Sequence, residues 1–137
     1  MSERLGNVLL IDDERVDQMI YRRVLKRSGL VDDITGFEYA DEALAHLRQP
    51  DCPTYDVIFL DINMPRMNGF EFLDAAFADD GANSYARAVI VMLTTSIDKR
   101  DKERAAQYSV VKNFINKPLM VDHVQRVAAI LAEQARA

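Results

Sequence analysis

Short apolar runs rich in β-branched residues alternate with helix-like segments from one end of the chain to the other. The predicted strands are Val8–Ile11, Ile34–Tyr39, Val57–Leu60, Ala88–Leu93 and a short one near Asn113–Asn116. Four consecutive apolar residues are typical of a strand covered on both faces, as in a parallel sheet. Strands that alternate with helices predict right-handed crossovers and helices on both sides of the sheet. The sequence therefore predicts an α/β fold, a doubly wound (βα)5 arrangement around a parallel five-stranded sheet.

The first helical segment has apolar residues at i, i+3, i+4 and i+8, namely Val16, Met19, Ile20 and Val24. This spacing is typical of the apolar stripe by which an amphipathic helix packs on a core. Gly29 is well placed to end the helix. The same segment carries four cations, predicted to form its solvated face: Arg22, Arg23, Lys26 and Arg27.

The remaining helical segments are shorter or more polar. A helix is predicted at Asp41–Arg48 with Asp41 as its N-cap, and a charged one at about Asp98–Tyr108. A polar, glycine-containing loop is predicted at Asp79–Tyr85. Apolar residues mark the third helix (Phe70, Leu73, Phe77) and one face of the last helix (Val121, Val124, Ala128, Leu131).

Length and composition limit the classes of protein to which the chain can belong. Its 137 residues suit one domain, so we expect a single unit over residues 1–137. No apolar run approaches the roughly 18 residues that span a bilayer, and no secretory signal is apparent. A lone cysteine, Cys52, fits a reducing cytoplasm. The net charge of −5 argues against direct binding of nucleic acid.

Polar side chains follow four of the predicted strands. Asp12 and Asp13 follow the first strand and Asp61 follows the third. Thr94 and Thr95 follow the fourth strand, and Lys117 follows the fifth. The carboxyl ends of parallel strands share one edge of the sheet, where ligands bind in folds of this kind. We therefore expect these side chains to converge on one pocket.

Three carboxylates in one pocket repel one another by about 4 kcal/mol per pair at 4 Å and an effective dielectric near 20. Either some are protonated or a cation lies among them. Oxygen ligands of this type favour Mg²⁺, with Mn²⁺ as a possible substitute. Lys117 and a threonine hydroxyl then suit contacts to an anion, and a phosphoryl group would satisfy the charges of the pocket.

The combination of these residues resembles the response-regulator receiver domain. It comprises Asp12-Asp13 after an apolar strand, Asp61-x-x-Met64-Pro65-x-x-Asn68-Gly69, a threonine after the fourth strand, and Lys117-Pro118. The resemblance spans about residues 7–131 and implies a flavodoxin-like fold with strand order 2-1-3-4-5. Together with the length of the chain, the resemblance also implies a stand-alone receiver with no output domain.

The resemblance assigns roles to the pocket residues. Asp61 is implied to be the phospho-acceptor that attacks a phosphohistidine of a sensor kinase. Asp13 is implied to bind Mg²⁺ directly, Asp12 through water, and Asn63 through its backbone carbonyl. Lys117 is implied to pair with the phosphoryl oxygens, and its bond to Pro118 is often cis in the family. Pro65 and Gly69 are implied to shape the turn after the acceptor strand.

The resemblance also implies a switch. A hydroxyl after the fourth strand would move toward the phosphoryl group, and Phe114 would repack into the space that it leaves. Thr94 is favoured as this hydroxyl because it is the first after the apolar run. Thr95 stays open as the alternative, because counting back from Lys117 at the family's usual spacing selects it.

The implied function is that of a two-component response regulator. Its only implied catalysis is self-phosphorylation and slow self-dephosphorylation, so it is not expected to be an enzyme in the usual sense. Its implied partners are a sensor histidine kinase and a downstream effector or histidine phosphotransfer protein, and we expect a monomer or weak homodimer. The cations of the first helix have a second interpretation as a kinase-docking surface. His46 and His123 are expected to be partly exposed surface histidines and not phospho-donors, and Cys52 is expected to lie in a proline-flanked loop with no obvious partner.

Two other classes of function stay open. An aspartyl phosphatase usually has a second aspartate two residues after its nucleophile, where this chain has Asn63. A receiver-like module that binds proteins without phosphate stays the main alternative.

Overall fold

The computed structural model describes residues 4–78 and 88–136, with side chains described to residue 134. Its elements are, in order, β1 (Gly6–Ile11), α1 (Arg15–Ser28), β2 (Val31–Phe37), α2 (Ala40–Leu47), β3 (Val57–Leu60), α3 (Gly69–Ala76), β4 (Val89–Thr94), α4 (Lys99–Ala106), β5 (Val111–Asn116) and α5 (Val121–Arg136). The strands form one parallel sheet in the order β2-β1-β3-β4-β5. The predicted fold class and strand order are confirmed.

The sheet is buried on both faces because its strands are continuously apolar. On one face, Leu9, Ile58 and Ile90 pack with the apolar residues of α2, α3 and α4. On the other face, Leu10 and Phe59 pack with those of α1 and α5. Strands buried in this way cannot slip in register without exposing apolar side chains. The carboxyl ends of β1, β3, β4 and β5 are therefore held in fixed relative positions.

The predicted apolar stripe of α1 is wrong. Val16, Met19 and Ile20 are 60%, 52% and 44% exposed. The buried residues of the helix are Gln18, Tyr21 and Leu25. These three residues, spaced i, i+3 and i+7, face the core instead. The Gln18 amide donates to backbone carbonyls at the ends of β1 and β2, and Tyr21 and Leu25 fill the core. Val24 packs partly against the same cluster.

The predicted cap of α2 is also wrong. Tyr39 occupies the N-cap position with no side-chain cap, and Asp41 lies in the first turn. The Asp41 carboxylate instead accepts a hydrogen bond from Arg66, at 2.5 Å. Gly29 does end α1, with φ of 73°, as predicted. The other bounds differ from the predicted ones by up to three residues, and the predicted loop at Asp79–Tyr85 lies outside the described residues.

Candidate metal centre at the carboxyl end of the sheet

Four parallel strands bring the predicted polar residues to one edge of the sheet. Ile11 at the end of β1 is in register with Leu60 at the end of β3, so Asp12 and Asp61 follow side by side. Thr94 at the end of β4 is in register with Asn116, the residue before Lys117. The backbone N–H of Lys117 donates to the carbonyl of Thr94 at 2.8 Å. The predicted convergence is therefore present in the structure.

Asp12, Asp13 and Asp61 form a cluster of carboxylates. One oxygen of each lies within 4.8 Å of the others. Asp12 and Asp61 are buried, whereas Asp13 is partly exposed at the mouth of the cluster. In the described part of the chain, this is the only group of three or more acidic, histidine or cysteine side chains so arranged. Clustered oxygen donors without histidine or sulfur fit Mg²⁺ and do not favour zinc.

The buried ammonium of Lys117 neutralises part of this charge. Its Nζ lies 2.7 Å from a carboxylate oxygen of Asp12, 2.8 Å from one of Asp17 and 3.3 Å from one of Asp61. The Lys117–Pro118 peptide bond is cis. One ammonium therefore faces three carboxylates, so the pocket has a net negative charge that a cation would balance.

Burial perturbs the protonation of the cluster. The pKa of Asp61 is raised to about 6, mainly by desolvation; Lys117 opposes the increase and the charge of Asp12 adds to it. Desolvation also raises the pKa of Asp12, against its hydrogen bond with Lys117. For Lys117, burial lowers the pKa, but the contacts with Asp12 and Asp17 outweigh it and the pKa lies above its ordinary value. A carboxyl group with a raised pKa in a cluster of like charges is a frequent mark of a functional site.

The turn after β3 approaches Asp61 closely. The backbone N–H of Gly69 donates to the carbonyl of Ile62 at 2.8 Å. A Cβ atom on Gly69 would lie 2.5 Å from the carbonyl oxygen of Asp61, so a side chain cannot be accommodated there without a shift of the backbone. Pro65 and the Asn63 side chain are exposed beside the cluster.

The two candidate hydroxyls have different environments. Thr94 is fully buried, and its Oγ1 accepts a hydrogen bond from the backbone N–H of Ser96 at 3.0 Å. Thr95 is exposed. The Ser96 hydroxyl in turn donates to Asp101 at 2.6 Å, and the Asn116 amide donates to the Ser96 carbonyl at 2.7 Å. These bonds fix the segment between β4 and α4 beside the pocket.

Phe114 lies on β5 and is partly buried against the core between the sheet and α4.

The remaining candidates have structural partners. His46 Nε2 is 2.8 Å from the Tyr55 hydroxyl, and His123 Nδ1 accepts from the backbone N–H of Met120. The Cys52 thiol contacts the carbonyl of Pro53, and burial raises its pKa.

Two residues near the pocket were not predicted from the sequence. Asp17 contacts Lys117, and Gln18 donates to the carbonyls of Leu10, Asp12 and Phe37. Neither belongs to the apolar stripe that the sequence predicted for α1. Their polar character at i+4 and i+5 from Asp13 was the available signal, and the competing apolar stripe obscured it.

Comparison with known proteins identifies consistent relatives. The family model described as the response regulator receiver domain matches residues 8–129. The chain is 30% identical over 127 residues to hybrid signal transduction histidine kinase L of Dictyostelium discoideum. That match covers 92% of this chain and 7% of the longer protein, so this chain spans a small part of its relative.

Solved structures share the fold. A two-component response regulator from Cytophaga hutchinsonii superposes with a TM-score of 0.86 at 23% identity, covering 95% of this chain and 98% of that one. A response regulator receiver protein from Dyadobacter fermentans superposes with a TM-score of 0.79 at 27% identity, covering 92% and 97%. Within the described residues, no helix has the length and apolar character required to cross a membrane.

Proposed function

Because the chain belongs to the response regulator receiver domain family, we propose that it is a phospho-acceptor switch in which Asp61 takes a phosphoryl group from the phosphohistidine of a sensor histidine kinase. The observation that carries the proposal is the convergence of Asp12, Asp13 and Asp61 around the Lys117 ammonium. This arrangement supplies a nucleophile, oxygen donors for a cation and one positive charge for an anion.

In the proposed reaction, a carboxylate oxygen of Asp61 attacks phosphorus, and a new P–O bond forms as the P–N bond of phosphohistidine breaks. The departing imidazole keeps the electron pair of that bond. With a pKa of about 6, Asp61 is mostly ionised at neutral pH and retains its nucleophilic lone pairs. Lys117 already lies 3.3 Å from this carboxylate, so it can pair with an oxygen of the incoming phosphoryl group.

The carboxylates of Asp12, Asp13 and Asp61 and the backbone carbonyl of Asn63 are the groups that would hold Mg²⁺, with Mn²⁺ as a substitute. The bound ion would neutralise charge on the phosphoryl oxygens. The contribution of the protein is to hold three carboxylates close together in spite of their repulsion, through Lys117 and the buried ends of the strands.

The proposed switch begins at Thr94. Its hydroxyl, which accepts a hydrogen bond from the Ser96 N–H, can move toward the pocket and donate a hydrogen bond to a phosphoryl oxygen. The phosphoryl group brings nearly two negative charges into the pocket. This movement would free space beside β4 into which the partly buried Phe114 can turn. The surface of α4, β5 and α5 would then change its preference for a downstream partner.

The exposed apolar residues Val16, Met19 and Ile20 of α1 support a protein-docking surface next to the acceptor pocket. We propose the sensor kinase as its partner, with the cations of α1 at its edge. The output is contact with an effector or onward transfer to a histidine phosphotransfer protein, in the cytoplasm and from a monomer or weak homodimer. Catalysis is limited to self-phosphorylation and slow self-dephosphorylation.

The test is chemical mapping of the acceptor. The protein is treated with acetyl phosphate and Mg²⁺, reduced with borohydride, digested and analysed by mass spectrometry. Reduction of an aspartyl phosphate yields homoserine, which we expect at position 61 alone. Homoserine at another aspartate would overturn the assignment of Asp61. Its absence everywhere, with a known receiver modified in parallel, would favour the phosphate-independent binding module.

A further inference from the structure

Lys117 has a partner outside the carboxylate cluster. Asp17, in the first turn of α1, lies 2.8 Å from Lys117 Nζ, closer than the 3.3 Å that separates Nζ from Asp61. The Asp17 side chain is 27% exposed and is not a member of the cluster that can hold a cation. Lys117 is therefore held between Asp12 and Asp17, and Asp61 is the most distant of its three carboxylates.

One turn after Asp17, α1 makes a second contact with the same lysine. The Tyr21 ring is buried, and its centroid lies 5.9 Å from Lys117 Nζ. Asp17 and Tyr21 are four residues apart and share one face of the helix. The position of the ammonium thus depends on α1 as well as on the strand from which the lysine comes.

We propose that Asp17 is a positioning residue that regulates the acceptor site by competing with the phosphoryl group for Lys117. The inference rests on the proposed function of that site. In the resting protein, the Asp17 carboxylate uses one of the three ammonium donors. An incoming phosphoryl group must draw Lys117 toward Asp61 against this attraction, so Asp17 lowers the affinity of the pocket for an anion.

The same carboxylate has the opposite effect on a cation. Asp17 offsets the positive charge of Lys117, and thereby reduces the repulsion between this lysine and Mg²⁺ bound at the cluster. Removal of Asp17 should weaken Mg²⁺ binding and strengthen anion binding. A variant that merely loosened the pocket would weaken both, so the signs of the two changes distinguish positioning from a structural role.

The experiment compares wild type with Asp17→Asn, which keeps the shape and removes the charge. Mg²⁺ affinity is measured by isothermal titration, and affinity for beryllofluoride, a mimic of the phosphoryl group, is measured at saturating Mg²⁺ by amide chemical shifts. We expect Mg²⁺ binding to weaken and beryllofluoride binding to strengthen, each by about three- to tenfold. Changes of this size are expected when one charge is removed several ångströms from the bound ion in a partly solvated site. Asp17→Glu should restore both affinities toward wild type.

Asp33→Asn is the matched control, because Asp33 is exposed and lies near the opposite end of the sheet, where it pairs in register with Asn7. It removes the same charge from the molecule and should leave both affinities unchanged. If Asp17→Asn is not folded by circular dichroism, Asp17→Ser takes its place.

Equal affinities in wild type and Asp17→Asn, a parallel loss of both, or the same change in Asp33→Asn would overturn the role of Asp17. Failure of wild type to bind either Mg²⁺ or beryllofluoride would instead reject the proposed function on which this role rests. The two failures are distinguished by the wild-type titration alone.

Discussion

Asp61 and Lys117 show how burial and charge oppose each other within one pocket. Burial disfavours both ionised forms, yet the lysine keeps its proton because carboxylates surround it, while the pKa of Asp61 rises to about 6. The metal-free pocket therefore stores unfavourable electrostatic free energy at neutral pH. Such a pocket is suited to bind a cation and a phosphoryl group together.

This stored free energy gives a pH-dependent prediction for the metal-free protein. The pKa of Asp61 is raised from 3.8 to about 6 on folding, so its contribution to stability is full below pH 4 and is lost as the pH rises through 6. Asp61→Asn removes this loss. We expect the variant to be more stable than wild type at pH 7.5 by about 2 to 3 kcal/mol, and the difference to shrink toward pH 4.

Urea unfolding in the presence of a chelator at several pH values measures this difference. Asp33→Asn, at an exposed site, controls for the loss of one negative charge. A difference between Asp61→Asn and wild type that is constant from pH 4 to pH 7.5 would contradict the raised pKa.

Thr94 and Thr95 differ in burial, and this difference gives a prediction about the switch. Thr94→Val keeps the shape but loses the acceptor for the Ser96 N–H, at a cost of about 1 kcal/mol. It should still bind beryllofluoride, whereas the resulting change in the amide shift of Phe114 should be lost. Thr95→Val, at the exposed neighbour, should behave as wild type. If Thr95→Val were instead the variant that loses the response of Phe114, Thr95 would be the switch hydroxyl.

The sequence predicted the pocket residues but not the full set of contacts between them. The positions of Asp12, Asp61 and Lys117 follow from the ends of apolar strands, which a parallel sheet aligns at one edge. The contact of Asp17 with Lys117 depends on the rotation of α1 about its own axis. The apolar spacing predicted the wrong rotation, and the burial of Gln18 and Tyr21 shows the actual one.

At the scale of elements, α1 has a core-facing side and an exposed apolar side. Leu25 is fully buried with α5 and the sheet, whereas Ile20 is 44% exposed. The apolar residues of the exposed side lie outside the buried core, and their neighbour Asp17 contacts Lys117 in the pocket. Both observations agree with the proposal that a partner docks on α1.

The two sides of α1 should respond differently to truncation. Leu25→Ala removes a buried side chain and should lower the free energy of unfolding by about 2 to 5 kcal/mol. Ile20→Ala should change it by no more than about 0.5 kcal/mol. Urea denaturation of both variants checks the contrast. A loss for Ile20→Ala as large as that for Leu25→Ala would show that the exposed stripe packs within the protein.

One strand was predicted to the residue, whereas the cap of α2 was not. Val57–Leu60 coincides with β3 because a run of four apolar residues between polar neighbours admits few alternatives. The cap of α2 was missed because the Asp41 side chain pairs with Arg66, which is 25 residues away, instead of with its own helix. Local propensity cannot anticipate such a contact.

At the scale of the whole molecule, the proposed metal binding at the carboxylate cluster would add to the stability of the fold. A ligand that binds the folded state alone raises its stability by about 1.4 kcal/mol at ten times its dissociation constant. We expect Mg²⁺ to raise the melting temperature of wild type. In Asp13→Asn, which lacks the carboxylate at the mouth of the cluster, we expect the metal-free protein to be no less stable and the response to Mg²⁺ to be lost.

Thermal unfolding with Mg²⁺ or with a chelator measures the effect, and Asp33→Asn should retain the wild-type increase. An undiminished increase in Asp13→Asn would show that Mg²⁺ binds elsewhere than at this cluster.

The most direct test of the account is intact mass after treatment with acetyl phosphate, with and without Mg²⁺, for wild type and Asp61→Asn. We predict that wild type gains the mass of one HPO₃ group only when Mg²⁺ is present, and that Asp61→Asn gains none. An equal gain in the variant, or no gain in wild type while a known receiver is modified alongside, would contradict the claim that Asp61 is a metal-dependent phospho-acceptor.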